Sequence, residues 1–200
     1  LLGIHQIENA MTAVAVVESL KESGYSISGS AVEQGLNEVK WAGRLEVIDS
    51  KGPLVVVDGA HNPYSSSSLA KSLGHSVIPH VSPQAQIFLV FGALRTHDVV
   101  EMLRVLSHLK PTLIPVSSRH PRSISHKQIL RAASEADPSG DICRAKGFRT
   151  VKEGLEYAVS ISSEDDILLI TGSLSVVAEG IEWKRGVEPE LYPSLPARPK

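Results

Sequence analysis

The stretch that decides the fold is Leu54-Val55-Val56-Val57-Asp58-Gly59-Ala60-His61-Asn62-Pro63. A continuous apolar run of this kind is typical of a strand buried on both faces, as in parallel sheets. Such sheets bind ligands beyond the carboxyl ends of their strands, where Asp58 and His61 would emerge. The serines and helix-spaced apolar residues after Pro63 predict a helix that begins just past it. A strand, a polar turn and a helix N-terminus together indicate an anion or nucleotide site. The alternative is that Asp58 and Asn62 serve only as turn and cap residues.

Strand and helix patterns alternate through the rest of the sequence. This alternation predicts βαβ units with right-handed crossovers, and therefore an α/β fold with a mostly parallel sheet. The predicted strands are Leu54–Val57, Gln86–Phe91, Leu113–Val116 and Ile167–Thr171, with a short one near Cys143, and the predicted helices between them are Val99–Leu106, Ser125–Ala136 and Val151–Ser162.

The first forty residues differ, because they contain two helical patterns and no strand. The first helix is predicted from Leu1 to Ser23 and the second begins after Ser28, which is a good N-cap. An apolar face of the first helix is expected to be exposed and to favour association. Because the sequence begins with Leu1 and not with Met, we expect a fragment. The predicted units are residues 1–40, the end of a preceding domain; 41–187, a Rossmann-like domain; and 188–200, a Pro-rich extended tail.

Composition narrows the class of protein. The 200 residues are 42% hydrophobic and 21% charged, which is typical of a globular chain. A formal net charge of −2 argues against nucleic acid or an anionic membrane as partner. The single Cys143 excludes an internal disulfide and fits a reducing compartment, so we expect a cytoplasmic protein. The sequence has no apolar run of membrane-spanning length and no secretory signal.

Glycine and then polar residues follow three of the predicted strands, after Val57, Phe91 and Thr171. Glycine lets a ligand approach the backbone, and three such strand ends are expected to form one crevice for a nucleotide or another phosphorylated ligand. The sequence contains neither a phosphate loop nor a dinucleotide fingerprint, and its histidines lack metal-binding spacing. A serine nucleophile elbow is absent too. The sequence therefore predicts a chain that binds a nucleotide without forming a complete ATP-processing site.

The sequence contains three motifs in a fixed order: Gly3–Ala10, which includes His5-Gln6 and Asn9, then Trp41–Glu46, then Asp58–Pro63. In their order and spacing, these motifs resemble the folylpolyglutamate synthase/dihydrofolate synthase family of the Mur ligase superfamily. A late Gly-Ser strand exit, Ile170–Leu174, resembles the same family, and the likeness extends from Leu1 to about Trp183. It implies a Rossmann-like Mur ligase C-terminal domain, preceded by two helices from the end of the central ATPase domain.

The resemblance implies an ATP-dependent amide ligase. In this family ATP phosphorylates a carboxylate of the folate-type substrate, the amino group of glutamate attacks the acyl phosphate, and phosphate leaves. Such a transfer requires Mg²⁺ and well-positioned donors. The family resemblance places the phosphate loop and the metal ligands in a preceding domain, so this chain alone is expected to be inactive. The expected partners are ATP, glutamate and a folate or dihydropteroate, and the full-length protein is expected to be a monomer.

The resemblance also assigns roles to individual residues. Asn9 suits the adenine edge, because an amide offers both a donor and an acceptor. Arg44 suits a phosphate oxygen through its fixed fork of donors, and Asp58 suits the ribose hydroxyls. His61 is the catalytic candidate, which would touch phosphate or position the closed state, and Ser173 would form part of the crevice wall. No metal ligand is assigned within this sequence.

The sequence departs from the family pattern in the absent N-terminal part and in one loop, and two alternative functions remain open. The loop Ala93–Asp98 stands where the family often has Asp-Lys-Asp, so only Asp98 is kept, and Arg95 is a candidate to replace the lysine charge. The alternative for Asn9 is an ordinary helix residue, and the alternative for Arg44 is a surface charge of the linker. The first alternative function is a Mur-type peptidoglycan ligase acting on UDP-linked muropeptides. The second is a non-catalytic module that binds a nucleotide or a partner chain.

Overall fold

The computed structural model describes residues 1–3, 5–140, 142–144 and 146–189. Among these residues, two helices come first and are followed by alternating strands and helices. The helices are α1 (His5–Glu22), α2 (Gly29–Glu38), α3 (Pro63–Ser76), α4 (Val99–Ser107), α5 (His126–Ala136), α6 (Val151–Ile161) and α7 (Leu174–Arg185). The strands are β1 (Glu46–Asp49), β2 (Leu54–Val57), β3 (Ile87–Phe91), β4 (Thr112–Pro115), β5 (Cys143–Arg144) and β6 (Ile167–Thr171), and a 3₁₀ turn covers Ile78–His80.

The strands form one six-stranded sheet in the order β1-β2-β6-β3-β4-β5. All neighbouring pairs are parallel except β1 with β2, so β1 is an antiparallel edge strand. The last strand in sequence, β6, lies at the centre between β2 and β3. In its register, Val57 and Val90 both pair with Ile170, so these three strands end at the same level. The predicted α/β class with a mostly parallel sheet is confirmed.

Helices cover both faces of the sheet, because each central strand is apolar on both sides. Along β3, Leu89 and Phe91 belong to one buried cluster, whereas Phe88 and Val90 belong to the other. The first cluster joins the sheet to α3, α4 and α5, and the second joins it to α6 and α7. The domain is therefore a three-layer sandwich, with its polar loops confined to the two ends of the strands.

Side-chain caps fix where the helices begin. Asn62, Ser125 and Thr150 each form a reciprocal capping box at the start of α3, α5 and α6. Such a box satisfies backbone N–H groups that a helix leaves unpaired in its first turn. Pro63 is already the first residue of α3, so the helix begins one residue earlier than predicted, with Asn62 as its cap. The reading of Asn62 as a cap residue is confirmed.

The helices α1 and α2 contain no buried residue among those described. Four apolar side chains of α1 are exposed, as the sequence predicted for this helix: Ile7, Met11, Val16 and Leu20. Ser28 caps α2 by accepting a hydrogen bond from the Ala31 N–H. No helix in the described part of the chain is long and apolar enough to cross a membrane.

One element differs from the sequence prediction. The helix α7 was not predicted, and it packs on the centre of the sheet through Gly180, whose Cα lies against Ile170. The strand near Cys143 is confirmed in the backbone as β5, paired with β4. The predicted Pro-rich tail lies outside the described residues from position 190 onwards.

Candidate functional site

Three strand ends meet at the carboxyl edge of the sheet. The residues after β2, β6 and β3 follow adjacent strands that end at one level, as predicted. Backbone hydrogen bonds join them, from Asp58 N–H to the Ile170 carbonyl at 3.0 Å and from Gly92 N–H to the Thr171 carbonyl at 3.3 Å. The three ends therefore form one connected platform at this edge.

The glycines at these strand ends are required by packing of the chain against itself. A Cβ on Gly172 would lie 2.5 Å from the Gly92 carbonyl oxygen, and the φ of Gly172 is +100°. A Cβ on Gly92 would lie 2.9 Å from the Val116 carbonyl oxygen. The sequence suggested that glycine here admits a ligand to the backbone. In the structure the space is filled by neighbouring strand ends, which explains these glycines without a ligand.

Asp58 is buried, with 5% of its surface exposed. Its two carboxylate oxygens accept hydrogen bonds from the Leu45 and Ala60 N–H groups, both at 2.8 Å. Burial raises the pKa of Asp58, although the two hydrogen bonds and the charges of His5 and Arg44 act in the opposite direction. The carboxylate therefore fastens the linker after α2 to the end of β2. A ribose contact stays a prediction, limited to the remaining lone pairs of these oxygens.

The residues Asn9 and Arg44 line one cleft, which we call the α1 cleft. Its volume is about 710 Å³, and it lies between α1, α2 and the linker that precedes β1. Asn9 is exposed and donates to the Gln6 side-chain oxygen at 3.1 Å, while Arg44 is half-buried. The indole of Trp41, which the sequence analysis did not select, is 63% exposed in the same cleft. An amide, a guanidinium and an exposed aromatic ring can together bind a base and a phosphate.

His61 and Ser173 line a second cleft, which we call the histidine cleft. It has a volume of about 470 Å³ and lies over the ends of β2, β3 and β6. None of the described residues that line it is acidic, and three are histidines from three different loops. The lining residues are His61, Leu94, His97, His120, Ser173, Leu174, Ser175 and Ala178.

Two imidazoles in this cleft are held by backbone carbonyl groups. His61 Nδ1 lies 2.9 Å from the Gly59 oxygen, and His97 Nδ1 lies 3.1 Å from the Gly172 oxygen. The two rings face each other at 5.8 Å between centroids. Burial lowers the pKa of His97, and the charges of His61 and Arg122 lower it further against the Gly172 hydrogen bond. His97 was not selected from the sequence, because its anchor at Gly172 lies 75 residues away along the chain.

A chain of serine hydroxyl groups supports the floor of the histidine cleft. Ser173 caps α7 by accepting from the Val176 N–H, and its hydroxyl lies 2.9 Å from that of Ser175. Ser175 in turn lies 3.0 Å from the buried hydroxyl of Ser118, in the loop between β4 and α5. Ser173 is 1% exposed. It forms part of the cleft wall, and it also sets the start of α7.

The loop that carries His120 is fastened to α7 by hydrogen bonds from Arg119 to two glutamates, of which Glu179 is buried. The Arg119 N–H donates to Glu179 at 2.7 Å, and the Arg119 guanidinium donates to Glu182 at 2.6 Å. Burial raises the pKa of Glu179, whereas the hydrogen bond and charge of Arg119 lower it. These contacts hold the loop beside the histidine cleft.

A family model described as Mur ligase, glutamate ligase domain, matches residues 43–174, which is more than half of the chain. The chain belongs to this Mur ligase family. A probable bifunctional folylpolyglutamate synthase/dihydropteroate synthase of Halobacterium salinarum is 30% identical over 92% of this chain and 21% of its own length.

Two solved structures of Mur ligase relatives share the fold. The folylpolyglutamate synthase of Mycobacterium tuberculosis, complexed with ADP, superposes with a TM-score of 0.76 at 26% identity, covering 95% of this chain and 42% of that one. A bifunctional folylpolyglutamate synthase/dihydrofolate synthase with Mn, AMPPNP and L-glutamate bound gives a TM-score of 0.72 at 26% identity. The match covers 88% of this chain and 38% of that one. The chain thus spans about two fifths of these proteins, and the predicted resemblance to this ligase family is confirmed.

The described residues do not provide a metal site by themselves. No group of three or more histidine, cysteine, aspartate or glutamate side chains within them is arranged to hold an ion. The donor set of the histidine cleft, with no carboxylate, is also unsuited to Mg²⁺, which prefers oxygen ligands.

Proposed function

We propose that this chain is the amino-acid-accepting part of an ATP-dependent amide ligase that adds glutamate to a folate or a dihydropteroate. The observation that carries the proposal is the histidine cleft, a cavity without acidic side chains, lined by histidines and serines at the strand ends of a Mur ligase glutamate ligase domain. Glutamate presents two carboxylates at neutral pH, and they would be repelled by acidic side chains. A cleft lined by imidazoles and hydroxyls suits such a ligand.

The α1 cleft would contact the nucleotide. Asn9 would meet the adenine edge, Arg44 a phosphate oxygen and Asp58 a ribose hydroxyl, as the resemblance implies. The residues of α1 and α2 would then belong to the end of a preceding domain that supplies the phosphate loop and the Mg²⁺ ligands. Support comes from the exposed apolar side chains of α1 and from the length of the relatives, which exceeds that of this chain.

The nucleotide would bind in the α1 cleft and glutamate in the histidine cleft. ATP phosphorylates the acceptor carboxylate, the glutamate amino group attacks the acyl carbon, and the carbon–oxygen bond to phosphate breaks. His61, which lines the histidine cleft, would orient the incoming glutamate. The sequence placed His61 beside the nucleotide. His61 lines the histidine cleft, whereas Asn9 and Arg44 line the α1 cleft, and this difference supports a role for His61 on the glutamate side.

The test is incorporation of labelled glutamate by the protein that contains this chain together with its preceding segment. Dihydropteroate, tetrahydrofolate and a UDP-linked muropeptide are compared as acceptors in the presence of ATP and Mg²⁺. We expect ATP-dependent incorporation with a folate-type acceptor and none by residues 1–200 alone. Incorporation only with the muropeptide would assign the peptidoglycan ligase instead. Nucleotide binding without incorporation into any acceptor would assign a non-catalytic module.

A further inference from the structure

We propose that the histidine cleft binds its carboxylate ligand together with a proton, which is taken up at Nε2 of His97. The inference rests on the proposed function, because it takes the glutamate carboxylate as the ligand. It adds a pH dependence to that site and assigns it to one side chain.

The geometry of His97 permits a change of charge without movement of the ring. Its Nδ1 lies 3.1 Å from the Gly172 carbonyl oxygen, and we assign the hydrogen of the neutral ring to this nitrogen, where it satisfies that carbonyl. The Leu94 N–H, 3.3 Å from the same nitrogen, would donate to it only in the other tautomer, and this is the longer of the two contacts. Nε2 therefore remains for the ligand. It repels a carboxylate when it is neutral, because its lone pair faces the ligand, and it donates to one when protonated.

The groups around His97 oppose its protonation while the cleft is empty of anions. From the end of β2, the His61 ring faces it at 5.8 Å, and from the loop before α5 the charge of Arg122 acts on it. His120 lines the same cleft from that loop, and the end of β6 contributes the Gly172 carbonyl and two serine hydroxyls. In its own loop Arg95 is cationic.

Asp98 is the acid nearest to His97 in sequence, and its carboxylate is used elsewhere. It caps α4 by accepting from the Glu101 N–H at 3.2 Å, so it is directed towards that helix. Together with partial burial, these surroundings favour neutral His97. A bound carboxylate would supply the missing negative charge and reverse the preference.

Linkage fixes the sign of the effect. If the bound ligand raises the proton affinity of His97, protonation must raise the affinity for the ligand by the same factor. The KM or Kd for glutamate therefore rises with pH, by up to about tenfold per unit in the window between the free and bound pKa of His97.

The experiment uses the full-length protein that contains this chain, and it measures the KM for glutamate between pH 6 and 8. We expect the KM to rise with pH in the wild type. His97→Lys, which keeps a cation at all these pH values, should remove the slope. His97→Gln should show, at every pH in this range, the high KM that the wild type has at pH 8. The control is His75→Lys, since the His75 Nδ1 also contacts a backbone carbonyl, Lys71 at 2.8 Å, but on an exposed helix outside the cleft. It should leave the slope unchanged.

Calorimetry separates this inference from the proposed function. L-glutamate is titrated into the protein at pH 7 in two buffers of different ionisation enthalpy. Uptake of a fraction of one proton in the wild type, and none in His97→Lys, would support the inference. Glutamate binding without proton uptake, or a slope that persists in His97→Lys, would overturn it and leave the ligase proposal intact. An absence of both glutamate binding and incorporation would overturn the proposed function as well.

Discussion

The backbone N–H of Leu45 donates to the buried carboxylate of Asp58 at 2.8 Å across 13 residues of chain. Leu45 is 1% exposed and has a φ of +42°, a left-handed conformation that is unusual for this residue type. The second oxygen of Asp58 accepts from Ala60 at the same distance. One side chain therefore holds both the strained end of the linker and the turn after β2, close to Arg44.

Asp58→Asn is expected to destabilise the domain, although it preserves the shape of the side chain. An amide has one oxygen, so its NH₂ group must face either the Leu45 or the Ala60 N–H, donor against donor. The expected cost is about 2 kcal/mol or more, because a buried donor loses its partner. Urea unfolding at pH 7 checks this value. A variant as stable as the wild type would show that Asp58 does not hold the linker.

Gly172→Ala should cost more than a substitution at a glycine with similar φ in open space. A Cβ at position 172 would lie 2.5 Å from a backbone oxygen and 2.8 Å from the Phe91 ring. The matched control is Gly140→Ala, where φ is +85° and nothing lies within 4 Å of the Cβ. In both variants an alanine at positive φ is expected to lower the folding stability by about 1 kcal/mol or more, and only Gly172→Ala adds a steric clash. Equal losses in thermal unfolding would contradict the packing explanation for Gly172.

Asp166 should contribute a stability that disappears in acid. Its oxygens accept from the Gln86 N–H at 2.7 Å and from the N–H and hydroxyl of Ser163 at 2.7 and 2.8 Å. Burial alone would raise the pKa of Asp166, but these hydrogen bonds outweigh it and lower the pKa. The folded-state pKa is thus below the unfolded value, so the stabilisation is present above the unfolded pKa and is lost as pH falls through the folded pKa.

Asp166→Asn is therefore expected to lower stability at pH 7 by about 2 kcal/mol, with a smaller difference at acidic pH. Asp165→Asn is the control, because this neighbour is exposed. Urea unfolding at several pH values between 3 and 7 measures both. If the stability difference between the wild type and Asp166→Asn stayed constant down to pH 3, the pKa of Asp166 would not be lowered in the folded protein.

The fold was predictable because its signals are local. The apolar runs that form β2, β3 and β6 are buried on both faces. Ser28, Ser125 and Thr150 cap α2, α5 and α6, respectively. The helix α7 was missed because it packs on the centre of the sheet. Its sequence, with Val176, Val177 and Gly180 buried and Glu179 buried as well, lacks a regular polar face.

The site was only partly predictable, since its key contacts join distant residues. The strand ends after β2, β3 and β6 were expected to form one crevice. The division into two clefts, with Asn9 and Arg44 in one and His61 and Ser173 in the other, follows from three-dimensional packing. The anchor of His97 at Gly172 has no sequence signal at all.

The measurement that most directly tests the account compares Arg44→Ala with His61→Ala in the full-length protein, using the KM for ATP and for glutamate. Each should lose a ligand contact worth about 1.4 kcal/mol or more, a factor of about ten. We predict that Arg44→Ala raises the KM for ATP and leaves that for glutamate nearly unchanged. His61→Ala should do the reverse, and Lys40→Ala, an exposed cation outside both clefts, should change neither. If His61→Ala raised the KM for ATP and not that for glutamate, the separation of the two clefts by ligand would be wrong.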